Sequence, residues 1–265
     1  MQQPLTEPKH EVKSILGYVR NKFKNVEEPD DAYVPISEED VSKLVAELQD
    51  ERMRMWARQS LKVSKNKHDR ALEICQNLMR FRRKWNWPLR LTAEGLEPAL
   101  RSGMHWLLPG FDNLGRRVIT FRASALSNGN AHDLQKMMCF LLEKVALEES
   151  SDLVLLGDLK GASVATLRHL AMDDMKRGMD MLVDAFPCRL RAVFVVHMPV
   201  ALTPLAAVVK GCLSPKIRAR LHVTRGPART FRRLLQDVPP SMIPAAVFGG
   251  ANTTFDWDKV VDAFL

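Results

Sequence analysis

Cysteine is scarce in this 265-residue chain, with four residues at Cys75, Cys139, Cys188 and Cys212. No two of them form a C-x-x-C pair, and none has a histidine at the spacing of a zinc site. This pattern argues against a disulfide scaffold. We therefore expect reduced thiols in an intracellular protein, with no metal site and no cofactor.

We also expect no signal peptide, because the first 30 residues mix Pro, Lys, Glu and Asp without a long apolar run. An uncharged stretch covers residues 192–209, which is close to the length of a membrane span. Pro199 and Pro204 interrupt it, and Ala192–Val196 is typical of a buried strand. We therefore expect a cytoplasmic protein with no membrane-spanning helix.

Acidic residues are absent between Ala185 and Gln236, although this segment contains ten basic residues. The rest of the chain has 29 basic and 31 acidic residues, so this segment accounts for the whole net charge of +8. Such a field attracts nucleic acid or an anionic membrane. Nucleic acid is the weaker prediction and no such partner is expected, because the segment has no Tyr or Trp on which bases could stack.

Helical periodicity dominates residues 37–103. Ser37 precedes three acidic residues and is a typical N-cap, so it predicts a helix start. A second helix is predicted from His68 to Trp85, and a short one from Thr92 to Arg101. We therefore predict a helical lobe over residues 37–103, after a partly flexible leader of residues 1–36.

Strand-like patterns begin at Met104 and define a second region, residues 104–265. Met104–Leu108 and Arg117–Phe121 flank the turn Asp112–Gly115 and predict a hairpin. Near-continuous apolar runs joined by helices then predict parallel strands buried on both faces. The predicted elements are a helix at His132–Leu147, a strand at Leu153–Leu156, a helix at Val164–Ala185, and strands at Ala192–Val196 and Leu221–Val223. The fold class is α/β, with a mixed, largely parallel sheet.

One imperfect catalytic motif follows the predicted strand at Leu153–Leu156. Gly161–Ala165 nearly matches G-x-S-x-G, which would make Ser163 the nucleophile of a serine esterase. His197 or His222 and a later aspartate would complete it. The simpler interpretation makes Ser163 a helix N-cap. Asp158 is open to both a catalytic and a structural interpretation.

Within the segment Pro199–Leu213, residues Val200–Val209 are apolar on every side of a helix. Burial in the core is one interpretation. The other is a lid, with one face over an apolar pocket and the other toward lipid. Cations flank the segment on both sides, and each adds about 1 kcal/mol near an anionic leaflet. These flanks favour a protein that docks reversibly on membranes.

Several short motifs resemble, in order and spacing, the CRAL-TRIO lipid-binding family, which includes retinaldehyde-binding and alpha-tocopherol transfer proteins. They are Asp112–Val118, Leu156–Gly161, Ala185–Pro187 with Arg189–Arg191, Met198–Pro199, Val209–Leu213, Lys216–Val223 and Val247–Gly250. The resemblance covers roughly residues 40–250. It implies a helical lobe followed by a sheet with a hydrophobic cavity, which a gating helix at Val200–Cys212 would cover.

The resemblance also implies two sets of site residues. The positions that would line the pocket are Phe121, Met138, Leu142, Leu153, Leu155, Val164, Met181, Leu182, Val193, Leu205 and Val208. The positions that would bind phosphoinositide headgroups are Arg189, Arg191, Lys216 and Arg220. The gate lacks the acidic residue of phosphatidylinositol-transfer members, which favours a neutral hydrophobic ligand.

We therefore predict a monomeric, non-enzymatic carrier of a hydrophobic small molecule, cytoplasmic and peripheral on phosphoinositide-containing membranes. Each CH₂ group exposed to water costs about 0.8 kcal/mol, so an apolar cavity lets a lipid leave a bilayer without that cost. Two alternatives stay open: the serine esterase, and a nucleic-acid- or protein-binding scaffold with a filled core and no ligand.

Overall fold

The computed structural model describes residues 34–128, 131–148, 150–162, 185–203, 206–207, 210, 215–223, 234, 236–245 and 252–264. The helices are α1 (Glu38–Leu48), α2 (Arg54–Val63), α3 (His68–Lys84), α4 (Glu97–Arg101), α5 (Ala131–Ala146), α6 (Pro215–Arg220) and α7 (Trp257–Asp262). The strands are β1 (His105–Leu107), β2 (Arg117–Arg122), β3 (Asp152–Asp158), β4 (Arg189–Val196) and β5 (Leu221–Val223). Short 3₁₀ turns lie at Glu51–Met53, Ala123–Asn128, Val200–Leu202 and Pro240–Met242.

The helical lobe begins at the predicted cap. The Ser37 hydroxyl accepts a hydrogen bond from the Asp40 backbone N–H at 3.0 Å, and the first turn of α1 is acidic. The lobe and the main region share one hydrophobic core, in which the ring of Trp56 on α2 packs edge-on against Phe186, 6.1 Å between centroids. This packing holds the helices against the segment that leads into β4.

The sheet has the strand order β1-β2-β3-β4-β5. β1 and β2 form the predicted antiparallel hairpin, and the other neighbours pair in parallel. The predicted α/β class with a mixed, largely parallel sheet is therefore confirmed. Leu221–Val223 forms a strand with the predicted bounds, whereas α4 is shorter than predicted and begins only at Glu97. Pro98 fits the first turn of α4, where a missing N–H leaves no helical bond unmade.

The two faces of the sheet differ in burial. On one face, the alternate residues Val154, Leu156, Phe194 and Val196 are at most 1% exposed. They pack against a cluster from the carboxyl-terminal part of the chain, made of Leu234, Val238, Met242 and Ile243. The other face is turned toward α5 and the core shared with the helical lobe. Only this second face has half-buried apolar residues at the centre of the sheet, and they are described below.

Some predictions fall on residues outside the described ranges. These are most of the leader 1–36, the predicted helix Val164–Ala185 except for Ala185, Ser163, and the gate residues 204, 205, 208, 209, 211 and 212. Cys75, Cys139 and Cys188 are free thiols. Among the described helices, none combines the length and the apolar character that crossing a bilayer requires.

Candidate functional site

A row of apolar side chains crosses the sheet on the face toward α5. The pairing register aligns Leu107, Ile119, Leu155, Val193 and Leu221, one from each strand. The first two are buried, at 3% and 1% exposure, whereas the three on β3, β4 and β5 are half-buried. Central strands of a parallel sheet are normally covered on both faces, so accessible apolar residues there indicate a surface able to receive an apolar partner.

A second row lies beside the first, nearer the carboxyl ends of the parallel strands. It consists of His105, Phe121, Gly157, Val195 and Val223. The three larger apolar members, on β2, β4 and β5, are half-buried. We call the two rows together the apolar floor. With the opposite face of the sheet closed by packing, the apolar floor is the face of the sheet that retains accessible apolar surface.

Gly157 lies in the middle of the second row. A Cβ atom placed there would lie 3.7 Å from Phe121 Cδ1 and 3.8 Å from the Phe194 carbonyl oxygen, which are ordinary van der Waals distances. The backbone therefore does not demand glycine for steric reasons. Because Gly157 has no side chain, the space above the sheet between Phe121 and Val195 is not filled at this position.

The predicted pocket residues fall into three groups. Phe121, Leu155 and Val193 belong to the apolar floor and are half-buried. Leu153, on the same face of β3, is 1% exposed and shares its hydrophobic cluster with Met138 and Leu142 of α5. The remaining predicted positions, Val164, Met181, Leu182, Leu205 and Val208, lie outside the described residues.

His105 and Gly157 are not in the predicted set, although the sequence contains a signal for each. Strand side chains alternate between faces, so the hairpin register that pairs Leu107 with Ile119 also pairs His105 with Phe121. A glycine inside an apolar strand marks a close approach or an open space. To place His105 and Gly157 in the same row, the order of the strands in the sheet must also be known.

His105 is the polar residue of the apolar floor. It is 8% exposed, its ring centroid lies 5.3 Å from that of Phe121, and its Nδ1 has no hydrogen-bond partner among the described residues. Burial lowers the pKa of His105 to about 4, although a hydrogen bond with the Thr120 backbone opposes the change. The imidazole is therefore neutral at physiological pH.

A hydrogen bond joins the carboxyl ends of β3 and β4. The His197 Nδ1–H donates to Asp158 Oδ1 at 2.9 Å, and the Lys160 backbone N–H donates to the same oxygen at 2.8 Å. His197 adopts the left-handed conformation, with φ of 52°. Asp158 thus bonds two groups near the start of the gate. No cluster of His, Cys, Asp and Glu suited to a metal ion occurs within the described ranges.

The predicted headgroup cations lie at the opposite edge of the sheet, where the parallel strands begin. The Arg189 and Arg191 Nε atoms lie 2.7 and 3.1 Å from the two oxygens of Asp152. Arg220 Nη1 donates to the Leu190 carbonyl, and Arg220 is half-buried. The backbone of Lys216 lies in α6, while its side chain is outside the description.

The described part of the gate presents two faces. Leu202 is 3% exposed and belongs to the shared core, and the half-buried Ala206 packs against that core. Val200 is 73% exposed, and Ala207 is exposed as well. The segment therefore contacts the core on one side and meets solvent on the other.

Residues 101–250, more than half of the chain, match the CRAL/TRIO domain family. Alpha-tocopherol transfer protein-like proteins of Homo sapiens and Mus musculus are 29% and 28% identical over 209 residues, which cover 76% of this chain and 60% of each relative. Clavesin-2 of Homo sapiens is 23% identical over 186 residues, covering 68% of this chain and 54% of the relative. The chain thus spans somewhat over half the length of the curated relatives it matches.

A solved structure described as the crystal structure of Sfh5 has a similar fold. It aligns with a TM-score of 0.51 and 14% identity, covering 97% of this chain and 92% of that chain. At this identity the likeness concerns the fold alone. It agrees with the five-stranded sheet and the preceding helices described above.

Proposed function

Because the chain belongs to the CRAL/TRIO domain family, we propose that it binds a neutral hydrophobic small molecule or lipid on the apolar floor and transfers it between membranes. The observation that carries this proposal is the row of half-buried residues formed by Leu155 and Val193 on the central strands β3 and β4 and by Leu221 on the edge strand β5. Covering them with a ligand removes apolar surface from water, at about 25 cal/mol per Å².

Transfer requires a cover that opens, and the gate Val200–Cys212 is the proposed cover. Its described residues include Leu202, which packs in the core, and Val200, which is exposed. A segment with two apolar faces can close the apolar floor in water and contact acyl chains at a bilayer. The left-handed backbone at His197, just before the gate, is the proposed hinge.

We propose that the protein docks on phosphoinositide-containing membranes through the cations where β4 and β5 begin. Lys216 and Arg220 are the proposed headgroup contacts. Arg189 and Arg191 contribute to the field there, but their side chains are only 4% and 10% exposed and both bond Asp152, so their first role is to hold β4 against β3. Arg218 of α6 is exposed and adds to the same edge.

No covalent step is required for this function, and we propose a non-enzymatic, peripheral membrane protein. One observation favours the esterase as a second candidate, because the His197 to Asp158 hydrogen bond supplies two members of a catalytic triad. The third member, Ser163, lies outside the described residues. An ester hydrolysis assay on the wild type and Ser163→Ala decides this point, since a carrier predicts no turnover that depends on Ser163.

Native mass spectrometry of the protein purified from eukaryotic cells tests ligand binding. We expect a mass increase from a bound apolar molecule, which organic extraction removes and identifies. A single unliganded mass, together with failure to take up any lipid from vesicles, would overturn the proposal and favour a scaffold with a filled core.

A further inference from the structure

We propose that the hairpin turn between β1 and β2 (residues 108–116) inserts Phe111 and Leu114 into the surface of an anionic bilayer. This inference rests on the proposed membrane docking, and it adds an apolar contact to the contacts made by the cations. Its basis is the position of two exposed apolar side chains, on a turn fixed by hydrogen bonds, at the edge of the sheet where those cations lie.

Large apolar side chains are rarely exposed in the described part of the chain. Those that are exposed there comprise Val34, Phe111, Leu114 and Val200. Phe111 is 50% exposed and Leu114 is 65% exposed, and both belong to the hairpin turn. A single exposed apolar residue is common on protein surfaces, whereas two on one short turn can enter an apolar environment together.

Hydrogen bonds fix the backbone of the hairpin turn. One side-chain oxygen of Asp112 accepts the backbone N–H groups of Leu114 and Arg116 at 3.0 and 2.8 Å, and the other lies 2.6 Å from Arg116 Nε. The Asn113 backbone N–H donates to the Asp237 carbonyl at 2.8 Å, which ties the turn to the carboxyl-terminal part of the chain. The turn is therefore ordered before it meets a partner, so binding costs little further backbone entropy.

The pairing register places the hairpin turn at the edge where the parallel strands begin. The turn leads into Arg117, which pairs with Leu153, and Leu153 pairs with Leu190 of β4. Arg220 donates a hydrogen bond to the Leu190 carbonyl, so this proposed headgroup cation lies at the same edge. Neighbouring strands are about 4.8 Å apart, which separates β2 from β5 by only about 15 Å in this strand order. One membrane surface can contact the turn and the cations together.

The charges at this edge favour an anionic bilayer as the partner. The described carboxylates around the turn all form ion pairs, Asp112 and Asp237 with Arg116, and Glu148 with Arg117. By contrast, helix α6 at the same edge has three cations and no acidic residue. Apolar side chains beside an excess of positive charge match the two components of such a bilayer, its acyl chains and its anionic headgroups.

The test compares polar and apolar substitutions in the full chain. Leu114→Ser, alone and together with Phe111→Ser, removes the apolar contact, whereas Phe111→Trp with Leu114→Trp supplies side chains that favour the membrane interface. Val34→Ser is the control, because it removes an exposed apolar side chain from the start of the helical lobe. Thermal unfolding is recorded for each protein, since the Arg117 guanidinium lies 5.1 Å from the centroid of the Phe111 ring.

Binding is measured by flotation with phosphatidylcholine vesicles that contain phosphatidylinositol bisphosphate. We expect the double Ser variant to bind at least tenfold more weakly than wild type, the double Trp variant to bind more tightly, and Val34→Ser to stay within about twofold. The ratio of wild type to double Ser variant should be the same at about 0.1 and about 0.5 M salt, because salt screens charges and not apolar contacts.

Two results would overturn the insertion, and they are distinguishable. Equal binding of the wild type, Ser and Trp proteins would show that the turn stays outside the bilayer, while docking through the cations stands. Failure of the wild type to bind any of these vesicles would defeat the proposed docking together with the insertion.

Discussion

The Arg189 guanidinium Nε lies 2.7 Å from Asp152 Oδ1, and only 4% of the arginine side chain is exposed. The same aspartate binds Arg191, whose Nε is 3.1 Å from its other oxygen. The pairing of β3 and β4 shifts by one residue between Leu153 and Val154, which leaves Arg191 as the additional residue of β4. One carboxylate therefore stabilises two neighbouring cations at the edge proposed to meet the membrane.

Removing this carboxylate is expected to destabilise the fold. Asp152→Asn removes the charge of the carboxylate that two little-exposed guanidinium groups contact, so we predict a loss of roughly 3 kcal/mol in the free energy of unfolding. Urea unfolding at neutral pH measures it. Asp133→Asn, which removes an exposed carboxylate on α5, is the control and should change stability by less than about 0.5 kcal/mol. Equal stability of all three proteins would show that the pairing is not structural.

Membrane docking is expected to depend on where the charge lies and not only on how much there is. Lys216→Glu with Arg218→Glu reverses two cations of α6, and we predict at least a tenfold loss of binding to vesicles containing phosphatidylinositol bisphosphate. Lys43→Glu with Arg83→Glu reverses two exposed cations of the helical lobe and gives the same net charge. Vesicle flotation with and without the phosphoinositide compares them. Similar losses in both double variants would contradict a localised docking edge.

The buried ion pair between α3 and α5 links the helical lobe to the main region. Arg82 Nη2 donates to Glu143, which also accepts the Leu91 backbone N–H at 3.0 Å. Both side chains are at most 4% exposed, and burial raises the pKa of Glu143 to about 7 against the opposing influence of Arg82. Because a lone buried charge is costly, we predict that Arg82→Met lowers the free energy of unfolding by about 3–5 kcal/mol.

The double variant Arg82→Met, Glu143→Met provides the matched comparison for this pair. It leaves no buried charge, although the Leu91 N–H loses its acceptor, and we expect it to be more stable than Arg82→Met. Denaturant unfolding of the four members of the cycle measures the coupling. Additive effects of the two substitutions would contradict a coupled buried pair.

The buried His105 predicts that the free energy of unfolding falls in acid. Its pKa is about 4 in the folded chain, against an ordinary value of 6.5, so between these values the unfolded chain binds a proton that the folded chain does not. The stability linked to His105 is therefore complete above about pH 6.5 and declines toward pH 4, by about 1.4 kcal/mol per pH unit. The measurement is the free energy of unfolding of wild type minus that of His105→Phe, from pH 7.5 to 4. A difference that does not vary with pH would be the opposing result.

The sequence predicted the elements that depend on local chemistry. Ser37 caps α1 as expected, because an N-cap needs only its own side chain and the next backbone N–H groups. The strand Leu221–Val223 was predictable from its apolar pattern and the order of elements. The hairpin followed from the turn signal between two β-like runs.

Contacts between distant residues were not predictable in the same way. Arg189 and Arg191 read as exposed cations in the sequence, and only the pairing of β4 with β3, 37 residues earlier, places them against Asp152. The accessibility of Leu155 and Val193 depends equally on which elements cover the sheet. Phe121, Leu155 and Val193 of the apolar floor are among the predicted pocket positions, whereas the boundary of the floor and its polar member required the register.

Gly157 offers the most direct test of ligand binding on the apolar floor. A methyl group fits there at 3.7 Å from Phe121, so Gly157→Ala should bind diphenylhexatriene within about twofold of wild type and unfold at the same or a higher temperature. The larger side chain of Gly157→Leu should occupy the space between Phe121 and Val195 and weaken binding at least tenfold, in a protein that still unfolds cooperatively. Equal affinity of the folded Leu and Ala variants for the fluorophore would contradict a ligand site on this face of the sheet.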